Sequence, residues 1–155
     1  MLYIQIICIG KTNEAYVREG IEKYNKLLSK YCKLEWLELP DVKNANKLPP
    51  DKLKEAEAGM LEQHLPDKAG IIFLDETGKH CDSTQFANYF KKKTIEFSKL
   101  TLIIGGSYGL ADSIKKRGDS LSLSSMTFNH QMVRVILAEQ LFRAFTIIKG
   151  TGYHH

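Results

Sequence analysis

Residues 100–109 read LTLIIGGSYG: five apolar or β-branched residues, then an abrupt pair of glycines. A run this short and apolar is too brief for a helix and reads as a strand covered on both faces. The pattern recurs upstream, where residues 70–75, GIIFLD, and residues 2–9, LYIQIICI followed by Gly10, have the same character. Between such runs lie amphipathic stretches. Asn13 is expected to cap a helix over 14–30, Asp51 to start one that Pro66 and Asp67 stop, and Ser83 to cap one reaching about Ser98. A further strand is expected at 34–39, closed by Pro40 and Asp41, and another around 120–124. A short helix over 111–117 and a long one over 131–149 complete the order. The polar, Pro-Pro-ended stretch from Val42 to Pro50 reads as a loop. Strands alternating with helices imply an α/β fold with a parallel sheet. No internal repeat or low-complexity linker divides the 155 residues, so one domain over 1–155 is expected.

Composition sets limits on partners. The chain is 43% hydrophobic and 26% charged, ordinary for a globular protein. No apolar run reaches the roughly 18 residues of a membrane span, and the apolar opening reads as a strand, not a signal peptide. Cys8, Cys32 and Cys81 are odd in number and widely spaced. They suggest neither a disulfide framework nor a zinc site, and fit a reducing cytoplasm. The net charge of +4 leans toward a polyanionic partner without deciding for one.

Ligands of open α/β sheets bind beyond the carboxyl ends of the strands. Three such ends stand out: Leu74-Asp75 with Thr77-Gly78, the GGSYG loop at 105–109, and residues 123–130. The glycine loop lacks the GxGxxG spacing and has no following P-loop lysine, so it is equally readable as a tight turn. Residues 123–145, LSSMTFNHQMVRVILAEQLFRAF, are more specific. Their first half is a small-residue loop whose amides and carbonyls could read an adenine edge. Their second half is a helix apolar nearly all round. Val133, Ile136, Leu137, Leu141, Ala144 and Ile148 form one stripe, with Val135, Ala138, Phe142 and Phe145 on the other side. Such a helix must be buried twice; one side is expected against the sheet and the other against a second subunit. Glu139 and Arg143, four apart, read as an intrahelical pair, with Arg143 alternatively facing a phosphate. His130 and Arg134 share a face near the helix N-terminus, which favours anions. They could orient a nucleotide, or His130 could be a capping or core residue. His64 and His80 read as surface residues. The ending GTGYHH is either a frayed terminus, a truncated tag, or a segment whose Tyr153 and His154 stack on a base.

Taken together, several blocks resemble a known family: LELPD at the second strand's end, FLDETGK, IIGGSYGL, the 123–145 stretch and the terminal GYHH. The chain is similar, over essentially its whole length, to the ribosomal large-subunit methyltransferase H family of the SPOUT superfamily. That resemblance implies a parallel-sheet fold with a C-terminal trefoil knot and a homodimer. It also implies methyl transfer from S-adenosylmethionine to N3 of a pseudouridine in the helix 69 loop of 23S rRNA, on assembled ribosomes. By the family pattern, Leu74, Gly105, Leu123, Ser124, Ser125, Met126, Thr127 and Phe128 would hold the cofactor; no metal is implied. His130, Arg134, Arg143, Tyr153 and His154 are the catalytic candidates. Asn129 stands where family members commonly carry proline, which leaves the cofactor loop less braced. His155 stands where many end in Lys or Arg. Two other readings accompany this one: a ribosome-binding factor without catalysis, and a SPOUT methyltransferase of another RNA.

Overall fold

The computed structural model describes residues 1–67 and 69–154. Five strands form one sheet: β1 (Leu2–Ile9), β2 (Cys32–Leu39), β3 (Gly70–His80), β4 (Lys99–Ile104) and β5 (Asp119–Ser122). Their order is β2-β1-β4-β3-β5, and every pairing is parallel. Helices α1 (Ala15–Leu28), α3 (Ser83–Glu96) and α5 (Met132–Lys149) share one face, where α5 packs against both α1 and α3. Helices α2 (Pro50–Glu62) and α4 (Asp112–Lys115) cover the other face. The strands alternate accordingly. Ile4, Ile6 and Cys8 point into the α1/α3/α5 core, while Ile7 and Ile9 point under α2 and α4. This is the period of two that a doubly covered strand needs. Among the described residues no helix is long and apolar enough to cross a membrane.

Several local expectations shift. Asn13 does not cap α1: its backbone N–H donates to Gln131 Oε1 at 2.8 Å, and Glu14 takes the cap position without a side-chain bond. Asp82, not Ser83, caps α3 through a reciprocal capping box with Gln85. The 42–50 loop contains a short 3₁₀ turn, Ala45–Lys47, and α2 begins at Pro50, where a missing N–H costs nothing. Strand β3 runs past Asp75 to His80, but with an irregularity. Leu121 faces Leu74 and then Lys79, so Asp75 to Gly78 loop out of register.

The long helix is also covered differently. Ala138, Phe142 and Phe145 are buried within this same chain. Phe142 meets Tyr24 and Tyr31, while Phe145 stacks on Tyr31 with ring centroids 5.2 Å apart and meets Phe90 edge-on. The close crossing with α1 is made at Gly20, where an added Cβ would lie 2.6 Å from Val135 Cγ2. Burial on both apolar sides is therefore achieved by the sheet plus α1 and α3. The face of α5 left outward carries Met132, Ile136, Glu139, Arg143 and Ile147, each half-buried.

Candidate active site

The carboxyl ends of β3, β4 and β5 open into a cavity of about 330 Å³, within the range of roughly 300–1,000 Å³ usual for small-ligand sites. The β3 exit contributes Leu74 to Thr77, and the β4 exit contributes Ile104 to Leu110. The segment after β5 contributes Leu123, Ser124 and Met126 to Phe128. His130 and Val133 line it from the start of α5, Lys54 from α2 and Lys115 from α4. Leu74, Gly105, Leu123, Ser124, Met126, Thr127, Phe128 and His130 are thus brought together around one space. Ser125 is exposed and not part of the lining.

Each wall has a local cause. The glycine loop folds back on itself as an antiparallel bridge between Gly106 and Gly109. Gly109 has φ of +84°, the left-handed region in which glycine carries no Cβ penalty. Gly105 serves the same turn differently: a Cβ there would lie 2.9 Å from Leu110 Cγ and 3.1 Å from the Gly109 carbonyl carbon. Its bareness makes room for the loop itself. After β5, Ser122 Oγ donates to the Ser124 carbonyl at 2.8 Å, and Ser124 Oγ accepts from the Met126 N–H at 2.9 Å. Thr127 Oγ1 donates to Glu76 Oε2 at 2.7 Å, tying this segment to the β3 excursion. Asn129 supplies a brace of its own, its Oδ1 accepting from the Gln131 N–H at 2.7 Å.

The charges of the lining are mostly paired. Lys115 bridges Asp75 at 2.9 Å and Asp112 at 3.2 Å. Burial works to raise the Asp75 carboxyl, but Lys115 and two bonds from Thr77 outweigh it and hold Asp75 below its usual range. Beneath the glycine loop, Glu57 of α2 is 6% exposed and abuts Gly106. Burial, with repulsion from Asp41, pushes its carboxyl up to about 7.

Arg134 requires a correction. It does not share an open face with His130. It is 1% exposed and its guanidinium points inward, donating to Thr12 Oγ1 and the Ile9 carbonyl, both at 2.9 Å, while Nε donates to the His130 carbonyl at 3.3 Å. Desolvating a guanidinium demands such partners, and with these donors engaged it offers nothing to an anion in the cavity. Gln131 reinforces the same junction, Nε2 donating to the Lys11 carbonyl at 3.0 Å. Neither Gln131 nor Thr12 was legible as part of this junction, because their partners lie more than a hundred residues away in the chain.

The remaining candidates form a second cluster on the outward face of α5. Arg143 Nε donates to Glu139 Oε1 at 3.0 Å, Arg143 Nη1 meets His154 Nδ1 at 3.0 Å, and Tyr153 donates to Glu139 Oε1 at 3.3 Å. The Arg143 guanidinium lies 5.0 Å from the Tyr153 ring centre, and that ring packs edge-on against Phe142. The tail is thus docked on its own helix up to His154; His155 lies outside the described residues. From Val133, which lines the cavity, to Arg143 the helix rises about 15 Å at 1.5 Å per residue, so within one chain this cluster and the cavity are well apart. The thiols take no part in either: burial pushes Cys8 up to about 12 and Cys32 up to about 11. Among the described residues no cluster of His, Cys, Asp and Glu is arranged to hold a metal.

Comparison with known proteins gives a consistent answer. Residues 2–154 match the family described as "Predicted SPOUT methyltransferase". The chain is 46% identical over 154 residues to the ribosomal RNA large subunit methyltransferase H of Cytophaga hutchinsonii, covering 98% of this chain and 99% of that one. It is 39% identical to the protein of the same name from Pelobacter propionicus, over 98% of this chain and 99% of the relative. With the Clostridium perfringens protein of that name it shares 40% identity over 97% and 98%. A five-stranded parallel sheet with a cavity at its carboxyl ends, matched end to end by these relatives, places the chain in the SPOUT methyltransferase family, among the ribosomal RNA large subunit methyltransferase H proteins.

Proposed function

We propose that this chain methylates N3 of a pseudouridine in the helix 69 loop of 23S rRNA, with S-adenosylmethionine as donor. In this reading it acts in the cytoplasm, on the assembled ribosome, as a knotted one-domain homodimer. The named activity of the relatives supports the rRNA substrate. The fit of the cavity supports the donor. Its walls are backbone turns at 104–106 and 123–128, flanked by apolar Leu74, Ile104, Leu110 and Val133. That combination suits an adenosine with an aliphatic tail, and Leu74, Gly105, Leu123, Ser124, Met126, Thr127 and Phe128 would hold it, with exposed Ser125 at the loop's tip. When bound, S-adenosylmethionine supplies a methyl group already activated by its sulfonium.

The chain's own work is to position the base and take its imide proton. His130, on the cavity wall, and His154, in the tail, are the candidate acceptors. Tyr153 would stack on or orient the base, and Arg143 would stabilise the developing anion or an adjoining phosphate. Arg134 acts as a positioning residue, holding the His130 backbone from below. The observation that carries the dimer is the separation of these groups. One chain holds its cavity and its Arg143–Tyr153–His154 cluster about 15 Å apart along α5. Two chains apposed through the outward face of α5 would bring one's tail to the other's cavity.

Three experiments test this reading. Mass spectrometry of 23S rRNA from cells lacking the gene should show the methyl group missing, and purified protein with S-adenosylmethionine should restore it to ribosomes. Calorimetric absence of S-adenosylmethionine uptake would instead indicate a binding factor. For the composite site, Ser124→Trp, which fills the cavity, is mixed with a chain truncated before Tyr153. Each alone should be inactive. Reassorted dimers should recover about a quarter of the unaltered activity, since half are mixed and each carries one intact site. No recovery refutes the shared site.

A further inference from the structure

We infer that Lys54 of α2 is the recognition residue for the carboxylate of the methyl donor's amino-acid tail, an assignment that rests on the proposed donor. Three observations converge on it. First, Lys54 lines the cavity and is half-buried there, although α2 belongs to none of the strand exits that shape the site. Second, it is the lining cation left without an acid among the described residues. Lys115 is engaged by Asp75 and Asp112, whereas no carboxylate oxygen lies within 4.0 Å of the Lys54 ammonium. Third, α2 is fastened to the cavity on the side that bears it. Glu57, one turn on, lies against Gly106, where a Cβ would come 2.8 Å from Glu57 Oε1. An unpaired ammonium on a half-buried lysine, borne by a packed helix beside an apolar and backbone-lined space, is a site for an anionic oxygen.

An RNA phosphate is the other anion available. Phosphates lie along the outside of a strand, however, while Lys54 shares its cavity with the residues that fit the donor. The donor is the cavity-sized ligand, and it carries one carboxylate.

The test uses the full chain and two ligands that differ in that group alone, S-adenosylmethionine and its decarboxylated analogue. Lys54→Met should weaken calorimetric binding of S-adenosylmethionine about tenfold and leave the decarboxylated analogue within about twofold. Lys54→Arg should restore most of the loss. Equal weakening of both ligands, or none of either, overturns the assignment. So does an unchanged donor affinity accompanied by a raised KM for ribosomes and a salt dependence shallower by about one phosphate contact, which would make Lys54 an RNA contact. No uptake by the unaltered protein overturns the proposed donor and this assignment together, whereas uptake with an indifferent Lys54→Met overturns this assignment alone.

Discussion

Glu57→Gln should make the protein more stable at mildly alkaline pH. Glu57 is 6% exposed, and its carboxyl lies against Gly106. Burial lifts its titration from 4.5 to about 7, with Asp41 adding repulsion. In the unfolded chain the same carboxyl ionises near its ordinary value. Between about pH 4.5 and 7 the folded form therefore holds a proton that the unfolded form has released, and stability falls as pH rises through that window, then levels off. The full difference corresponds to about 3 kcal/mol at about 1.4 kcal/mol per tenfold change. Residual solvent contact brings the expected loss to about 2 kcal/mol. Glutamine keeps the shape and cannot ionise. Urea unfolding of both proteins at equal concentration should give near-equal stability at about pH 5 and an advantage of about 2 kcal/mol for Glu57→Gln at about pH 8. Parallel stability curves across the whole range, or a variant weaker at pH 8, would refute the account of a desolvated carboxyl.

Arg134→Met should cost about 2–4 kcal/mol in the same unfolding assay, because the Ile9 and His130 carbonyls and the Thr12 hydroxyl lose their donor in a buried place. A loss below about 0.5 kcal/mol would contradict the buried network. Gly109→Ala has open space around the new methyl but must hold φ near +84°, so it should cost about 1–2 kcal/mol and weaken donor binding with it. Ordinary stability and affinity would show that the loop turns without left-handed backbone. His154→Ala should leave the thermal midpoint in place while lowering single-turnover methylation of ribosomes by about a hundredfold if its ring takes the imide proton. An unchanged rate removes His154 from that role.

Much of the fold was readable because its signals are local. LYIQIICI, GIIFLD and LTLII are strands by composition alone, and the aspartate exit of the second and the glycine exit of the third mark the rim where the cavity opens. Bounds erred where a tertiary partner decided them: Asn13 reads as a cap until Gln131 reaches its N–H, and β3 reads as ending at Asp75 until Leu121 takes up a second pairing beyond the excursion. The strand-exit residues of the cavity were likewise visible, since small residues after a strand leave a mark in the sequence. Lys54 and Glu57 were not, because nothing in an amphipathic helix tells which of its polar residues turns inward. Arg134 shows the converse error. A spacing of four from His130 suggested a shared open face, but burial depends on what the helix packs against, and here that is the turn after β1.

The bonds from Arg134 and Gln131 to residues 9–12 make the cavity's rim and the first crossover of the chain one mechanical unit. Any ligand that draws His130 toward itself pulls on Ile9 and Thr12 through the guanidinium, and Thr12 is in turn held by Glu38 at the end of β2. The start of α5 at the cavity's edge is thereby linked through β1 to β2 at the far edge of the sheet.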